Sequence, residues 1–292
     1  TVVCLIGGGQ EINTGEAGIS EWISALETYF PHWSAFVSPR IALPEYGSPQ
    51  QVAQLLASPR VHAEPGLHLA VSLRSFRAET LSDFIGYIVE NSPERALSAF
   101  TGISAEYPIY ITRDLNIAKA WLRKRARGTE RFGLIASSGA HRLRAQGIHV
   151  KAAIEPETWF LNAPSDVRSS SYMEDVATEF SVQGLELDWA GICWDGDFHH
   201  AAGAWKYQNF KGTTWQAVND PASKLYLKNA YRVILTRARQ GMILYVPHSD
   251  PSDYTRPSAI YDGTYEFLRS CGIPPYKNDS VEDLREKSRD PI

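Results

Sequence analysis

Short apolar runs alternate with stretches of helical period along the chain, the pattern of an α/β fold built on a mainly parallel sheet. Residues 2–6 read as a buried strand running into Gly7, Gly8 and Gly9. From 18 to 30, the residues Ile19, Trp22, Ile23, Leu26 and Phe30 recur at helical spacing and predict an amphipathic helix. Residues 67–73 predict a second strand. Residues 79–89 predict a second helix, with Leu81, Phe84, Ile85 and Ile88 on one face, and Ser92-Pro93-Glu94 opens another. Further along, strands are expected at 107–112, 132–136, 187–194 and 242–246. Helices are expected at 115–125, 140–145 (closed by Gly147), 224–237 and 263–270. Residues 164–171, rich in Pro, Ser and Asp, read as loop. The charged stretch from Lys277 reads as peripheral. A boundary near Tyr107 divides the reading into 1–106 and 107–292.

Composition narrows the classes. The 292 residues are 43% hydrophobic and 11% aromatic, enough for a substantial core and too much for a disordered chain. No apolar run approaches the roughly 20 residues of a spanning helix, so no membrane association is expected. The net charge is −4, so any nucleic-acid contact must use a local basic patch. Three cysteines without CxxC spacing suit a reducing, cytoplasmic compartment. The chain opens on Thr1 inside an apolar run, which reads as the edge of a strand whose neighbours lie upstream.

Two segments carry candidate chemistry. In Asn229-Ala230-Tyr231-Arg232-Val233-Ile234-Leu235-Thr236-Arg237-Ala238-Arg239, two arginines fall at the end of a predicted helix. Cations there complement the helix dipole, and a guanidinium so held can also meet a γ-phosphate. In Thr178-Glu179-Phe180-Ser181-Val182-Gln183-Gly184-Leu185-Glu186-Leu187-Asp188, a Gly-containing loop enters a buried strand. Gly184 lets backbone approach a ligand, and Glu186 is placed for a sugar hydroxyl or an arginine. A purely structural role accounts for each segment taken alone.

Together, and in this order, they resemble motifs V and VI of superfamily 1 DNA/RNA helicases. Leu73-Arg74-Ser75 resembles motif IV, and Leu5-Ile6-Gly7-Gly8-Gly9-Gln10 resembles motif III. The chain from about 2 to 272 is similar to a bacterial helicase-like ATPase family related to the helicase domain of the Schlafen proteins. The resemblance implies a RecA-like, P-loop NTPase-type parallel sheet flanked by helices. Residues 107–292 would form the second motor lobe, and 1–106 a remnant of the first with its connection. It implies that Gln10 senses the γ-phosphate and that Arg74 and Arg237 close on the triphosphate, Arg237 as the finger. Glu186, Gly184 and the more doubtful Arg239 would lie on the nucleotide side. Thr178, Phe180, Ser137, Ser138, Arg142 and Arg144 would face nucleic acid.

The departures from the family pattern matter. Leu73 replaces an aromatic, Phe180 replaces a His and offers a stacking face, and glycine stands where motif III carries Asp. No Gly-x-x-x-x-Gly-Lys-Ser/Thr occurs, so the ATP and Mg²⁺ site is expected to need an upstream P-loop lobe, and this chain alone is not expected to hydrolyse ATP. The basic stretch Arg113, Lys119, Arg123, Lys124, Arg125, Arg127, Arg131, Arg142 and Arg144 suits either a solvated face or a phosphate-tracking surface for single-stranded or duplex nucleic acid. Two readings compete: a nucleotide-independent nucleic-acid-binding scaffold, and a metal nuclease using Asp195, Asp197 and His199. Ser137-Ser138 with His141 lacks a nucleophile elbow and makes a poor hydrolase.

Overall fold

A computed structural model describes residues 1–4, 12, 19–42, 49–68 and 76–277 of the chain. It is an α/β fold. Its centre is a five-stranded, all-parallel sheet in the order β3-β10-β6-β4-β5. These strands are β3 (Ile109–Thr112), β4 (Phe132–Ala136), β5 (Val176–Ala177), β6 (Leu187–Cys193) and β10 (Ala238–Tyr245). Parallel sheets are covered on both faces, so their strands need apolar residues in both directions. Alternation along β10 shows it: Met242 and Leu244 enter one core, Ile243 and Tyr245 the other.

On the first face lie α3 (Phe76–Val89), α4 (Pro93–Ile103), α8 (Pro221–Leu235) and α9 (Ser258–Ser270), joined to Ile109, Ile111, Ile135 and Ile192 of the sheet. The second face is closed by α5 (Leu115–Arg125), whose Ala118, Trp121 and Leu122 meet Leu134, Trp189 and Ile243. Asp114 starts α5 by accepting from the backbone N–H groups of Asn116 and Ile117 at 2.7 and 3.3 Å. Between β6 and α8 the chain makes an antiparallel meander of β7 (Phe198–Ala201), β8 (Ala204–Lys211) and β9 (Thr214–Ala217).

Nearer the start, α1 (Ile19–Thr28), α2 (Pro49–Leu56) and the parallel pair β1 (Ala35–Val37) and β2 (Val61–Ala63) share a small separate core of Ile19, Ile23, Val52, Leu55 and Val61. Arg60 ties its loops by donating to the carbonyls of Leu26, Phe30 and Trp33. Among the described residues no helix is long and apolar enough to cross a membrane.

Several expectations change. Residues 2–4, the described part of the buried strand expected at 2–6, form no strand and are exposed. The predicted helix over 224–237 ends at Leu235, because the Thr236 hydroxyl donates back to the carbonyls of Arg232 and Val233 at 2.9 and 3.1 Å. Arg237 therefore stands between helix and strand, and Arg239 lies in β10 rather than on the helix. Leu67, the first residue of the strand expected at 67–73, instead ends a 3-10 turn over Pro65–Leu67. The remainder of that strand from 69, and Leu5 to Gln10 at the front, lie outside the described residues, as does Arg74.

Candidate nucleotide-side and nucleic-acid interface

At the carboxyl edge of the sheet, three strand ends deliver polar side chains to one place. β4 runs out into Ser137-Ser138-Gly139, β5 into Thr178 and α7 (Glu179–Val182), and β6 into Trp194-Asp195-Gly196-Asp197. The Ser138 N–H and hydroxyl donate to the two oxygens of Glu179 at 2.8 and 2.6 Å. The Ser137 hydroxyl donates to Asp197 at 2.6 Å, and Tyr231 of α8 donates to the other Asp197 oxygen at 2.5 Å. Asp195 accepts from the Tyr261 hydroxyl of α9 at 2.7 Å and from the Arg142 backbone N–H at 3.0 Å. Gly139 is required by this contact: a Cβ there would stand 2.7 Å from the Asp197 oxygen that Ser137 uses. Buried carboxyls thus hold the β4 loop in place from beneath.

Burial drives the electrostatics. It pushes the carboxyls of Asp195, Asp197 and Glu179 above the usual range, and the Asp197 charge raises Asp195 further. His199 donates through Nδ1 to the Gly196 carbonyl at 2.8 Å, and burial lowers its pKa. Asp197 spends both oxygens on hydroxyl and backbone donors, and no three His, Cys, Asp or Glu side chains among the described residues are grouped to hold a metal ion. The geometry therefore gives the nuclease reading no support.

Beside this edge runs a groove of about 710 Å³ between the 3-10 turn His141–Gln146 and the β8–β9 tip, with Arg144, His149, Lys151, Phe210 and Tyr254 among its walls. Arg144 and Tyr254 are exposed, and Phe180 on α7 is also exposed. Arg142 is buried: its guanidinium donates to Thr255 and Asp253, each at 2.5 Å, so it fixes the groove wall. Ser137 is fully buried, whereas Ser138 and Thr178 are half-buried. Of the remaining basic stretch, Arg113 pairs with Asp262, and Arg131 donates to the carbonyls of Leu161 and Asn162. Arg123, Lys124 and Arg125 in the last turn of α5, and Arg127 just after it, are exposed at the other end of the sheet.

At the amino edge, Gly184 takes φ +86°, a left-handed turn that favours glycine, and its missing Cβ would meet nothing within 4 Å. Two residues on, Glu186 is half-buried at the entry to β6. The Leu187 N–H then donates to the Arg237 carbonyl at 2.9 Å, which sets the two motif-like segments side by side. The Arg237 side chain is only 2% exposed, and its Nε donates to the Val233 carbonyl at 3.1 Å. Arg239 is exposed on β10.

The Asp195, Asp197 and Glu179 supports, with Tyr231 and Tyr261, were not legible as one unit. Each is an ordinary residue in sequence, and only the convergence of strand ends joins them.

No curated protein matches the sequence. A solved structure it is similar to is the C-terminal domain of a possible DNA helicase from Lactobacillus plantarum WCFS1, at 16% identity and a TM-score of 0.30, covering 65% of this chain and 98% of that one. Residues 1–248 match the family described as Schlafen group 3, DNA/RNA helicase domain. With a parallel α/β sheet whose motif-bearing segments meet through one backbone hydrogen bond, and a match over most of its length, the chain belongs to the Schlafen group 3 DNA/RNA helicase domain family.

Proposed function

We propose that this helicase-family chain is the second, RecA-like lobe of an ATP-driven nucleic-acid motor, reading nucleotide state at the amino edge of its sheet and gripping a strand at the carboxyl edge. The observation that carries the reading is the Leu187–Arg237 hydrogen bond, which puts Glu186 and Arg237 side by side, each just ahead of one of the adjoining strands β6 and β10. Through β6 and the short α7 the same segments lead to Thr178 and Ser138 at the opposite edge.

The residues fit ATP in part. Arg237 brings a guanidinium held by Val233, and Gly184 an open backbone turn. A P-loop's amide cradle, lysine and Mg²⁺ ligand are not in this sequence, so a lobe carried outside it would hold most of Mg²⁺-ATP. When bound, Mg²⁺-ATP supplies a phosphoanhydride whose cleavage moves negative charge toward the departing phosphates. Arg237, with Arg74, would stabilise that charge, and Gln10 would sense the γ-phosphate. Glu186 faces the ribose, with Arg239 a second cation nearby. On the strand side Thr178 and Arg144 contact phosphates, Phe180 stacks on a base, and Ser137, Ser138 and Arg142 hold the loop beside them.

ATP turnover by this chain and by the chain joined to its P-loop lobe, with and without single-stranded DNA or RNA, tests the reading. Turnover only in the joined form, stimulated by nucleic acid, supports it. In that form Arg237→Ala is expected to lower turnover about 10³-fold or more while sparing nucleotide binding. Unchanged turnover overturns the finger role. Nucleic-acid binding that never responds to ATP in either form moves the reading to a scaffold.

A further inference from the structure

A second cavity, of about 750 Å³, opens at the amino edge on the α5 side of the sheet. That is the volume of a small-molecule pocket. Its walls combine three chemistries. Lys124, Arg125 and Arg127 come from the end of α5 and the turn after it, and Lys277 lines the cavity next to Tyr276. Lys124, Arg127 and Lys277 form no salt bridge with another described residue. The single carboxylate, Glu130, is already committed: it accepts from Trp189 Nε1 at 2.9 Å, Arg127 N–H at 3.0 Å and Gln240 Nε2 at 3.0 Å. Those bonds hold its carboxyl below the usual range, so it stays a fixed acceptor.

The aromatic wall is continuous. Tyr276 meets Tyr110 edge-on at 5.3 Å, Tyr110 meets Trp121 at 6.0 Å, and Trp121 meets Trp189 at 5.6 Å. The Arg125 guanidinium lies over both indoles, at 5.5 and 6.0 Å from their centroids. The buried Trp121 Nε1 has no hydrogen-bond partner among the described residues. A bulge in β10 between Ala238 and Gly241 turns the Gln240 amide into this cavity, where it bridges Glu130 and Asp188.

We propose that this cavity binds a nucleoside phosphate unit. The base lies against Tyr110 and Tyr276, with its polar edge toward Gln240, and the phosphate is met by Lys124, Arg127 and Lys277. Neutral apolar ligands leave clustered cations unpaired, and a bare phosphate leaves the aromatic wall unused. The unit can be one residue of a single strand or a free nucleotide; both present this chemistry. The inference uses none of the residues of the proposed motor and stands or falls apart from it.

The test is binding of two probes, a fluorescein-labelled 20-nucleotide single strand carrying 5-iodouracil and ATP alone, to the 292-residue chain and to a Lys124→Glu/Arg127→Glu variant. At least one probe is expected to lose tenfold or more in affinity. Loss for the strand identifies a strand path, and loss for ATP alone a free-nucleotide pocket. Photo-cross-linking of the strand should then mark Tyr110 or Tyr276 in the first case and neither in the second. A folded variant, judged by circular dichroism, that binds both probes as the wild type does overturns the inference. Where only the strand probe has lost affinity, so do cross-links confined to Phe180, Phe210 or Tyr254, a result that leaves the carboxyl-edge interface standing.

Discussion

Glu179 illustrates how one buried acid can order a loop. Its two oxygens receive both donors of Ser138, so Glu179→Ala leaves a backbone N–H and a hydroxyl without partners. The expected cost is about 1–3 kcal/mol in urea unfolding. Glu179→Gln keeps an acceptor for the N–H and a donor for the hydroxyl, and is expected to cost under about 1 kcal/mol; an equal loss in both variants would show that charge, not hydrogen bonding, matters. Asp195 and Asp197 respond to pH through their burial. Their raised values mean that the folded state keeps protons the unfolded chain releases. Their contribution to stability is complete below the unfolded carboxyl range near pH 4 and is lost as pH climbs through the raised values. Thermal unfolding should therefore show a decline from acid toward neutral pH from this pair, and Asp195→Asn should flatten it. A profile identical to wild type would place the burden elsewhere.

Elements with strong local signals were legible in sequence, and those set by distant contacts were not. The expected and observed bounds of α5 and β4 coincide, because Asp114 caps the helix and a five-residue apolar run makes the strand. Gly147 closes the 3-10 turn at φ +82°, as its position implied. The end of α8 was missed by two residues, since apolar period continues through Leu235 while the stop comes from Thr236 bonding backward. The β7–β9 meander was not among the expected strands: seven of the eight β8 residues are half-buried or exposed, so no apolar run announces it. Asp195 and Asp197 were read as strand end or metal site, because sequence does not show that acids are buried beneath tyrosines. The amino-edge pairing of Glu186 with Arg237 was implied by family resemblance, and no spacing rule shows it. A four-residue helix, α7, joins the two edges between Thr178 and Gly184. Gly184→Val, forced to a positive φ, is expected to cost about 1–2 kcal/mol and to weaken ATP-dependent changes in strand affinity in the joined motor; unchanged ATP response would separate the turn from the motor.

Across the whole molecule, reactivity should be uneven. Burial pushes the Cys193 and Cys271 thiols up to about 12, whereas Cys4 is exposed. One thiol is expected to react rapidly with a disulfide reagent in the native state and three after denaturation; two fast thiols would show that one core opens. The sheet also has a mechanical consequence. The strand β6 runs from the Arg237 contact to the Asp195 support, and five of its seven residues, Trp189 to Cys193, are paired on both sides by β10 and β4. At about 3.3 Å per residue it is a beam of roughly 23 Å, stiffened against local bending over those five residues. Each degree of rotation imposed at one end sweeps the other by about 0.4 Å on that length. For the proposed motor, travel along a strand is then a question of angle: the stroke is set by how far the lobe turns, and the side chains at its tip need only hold on.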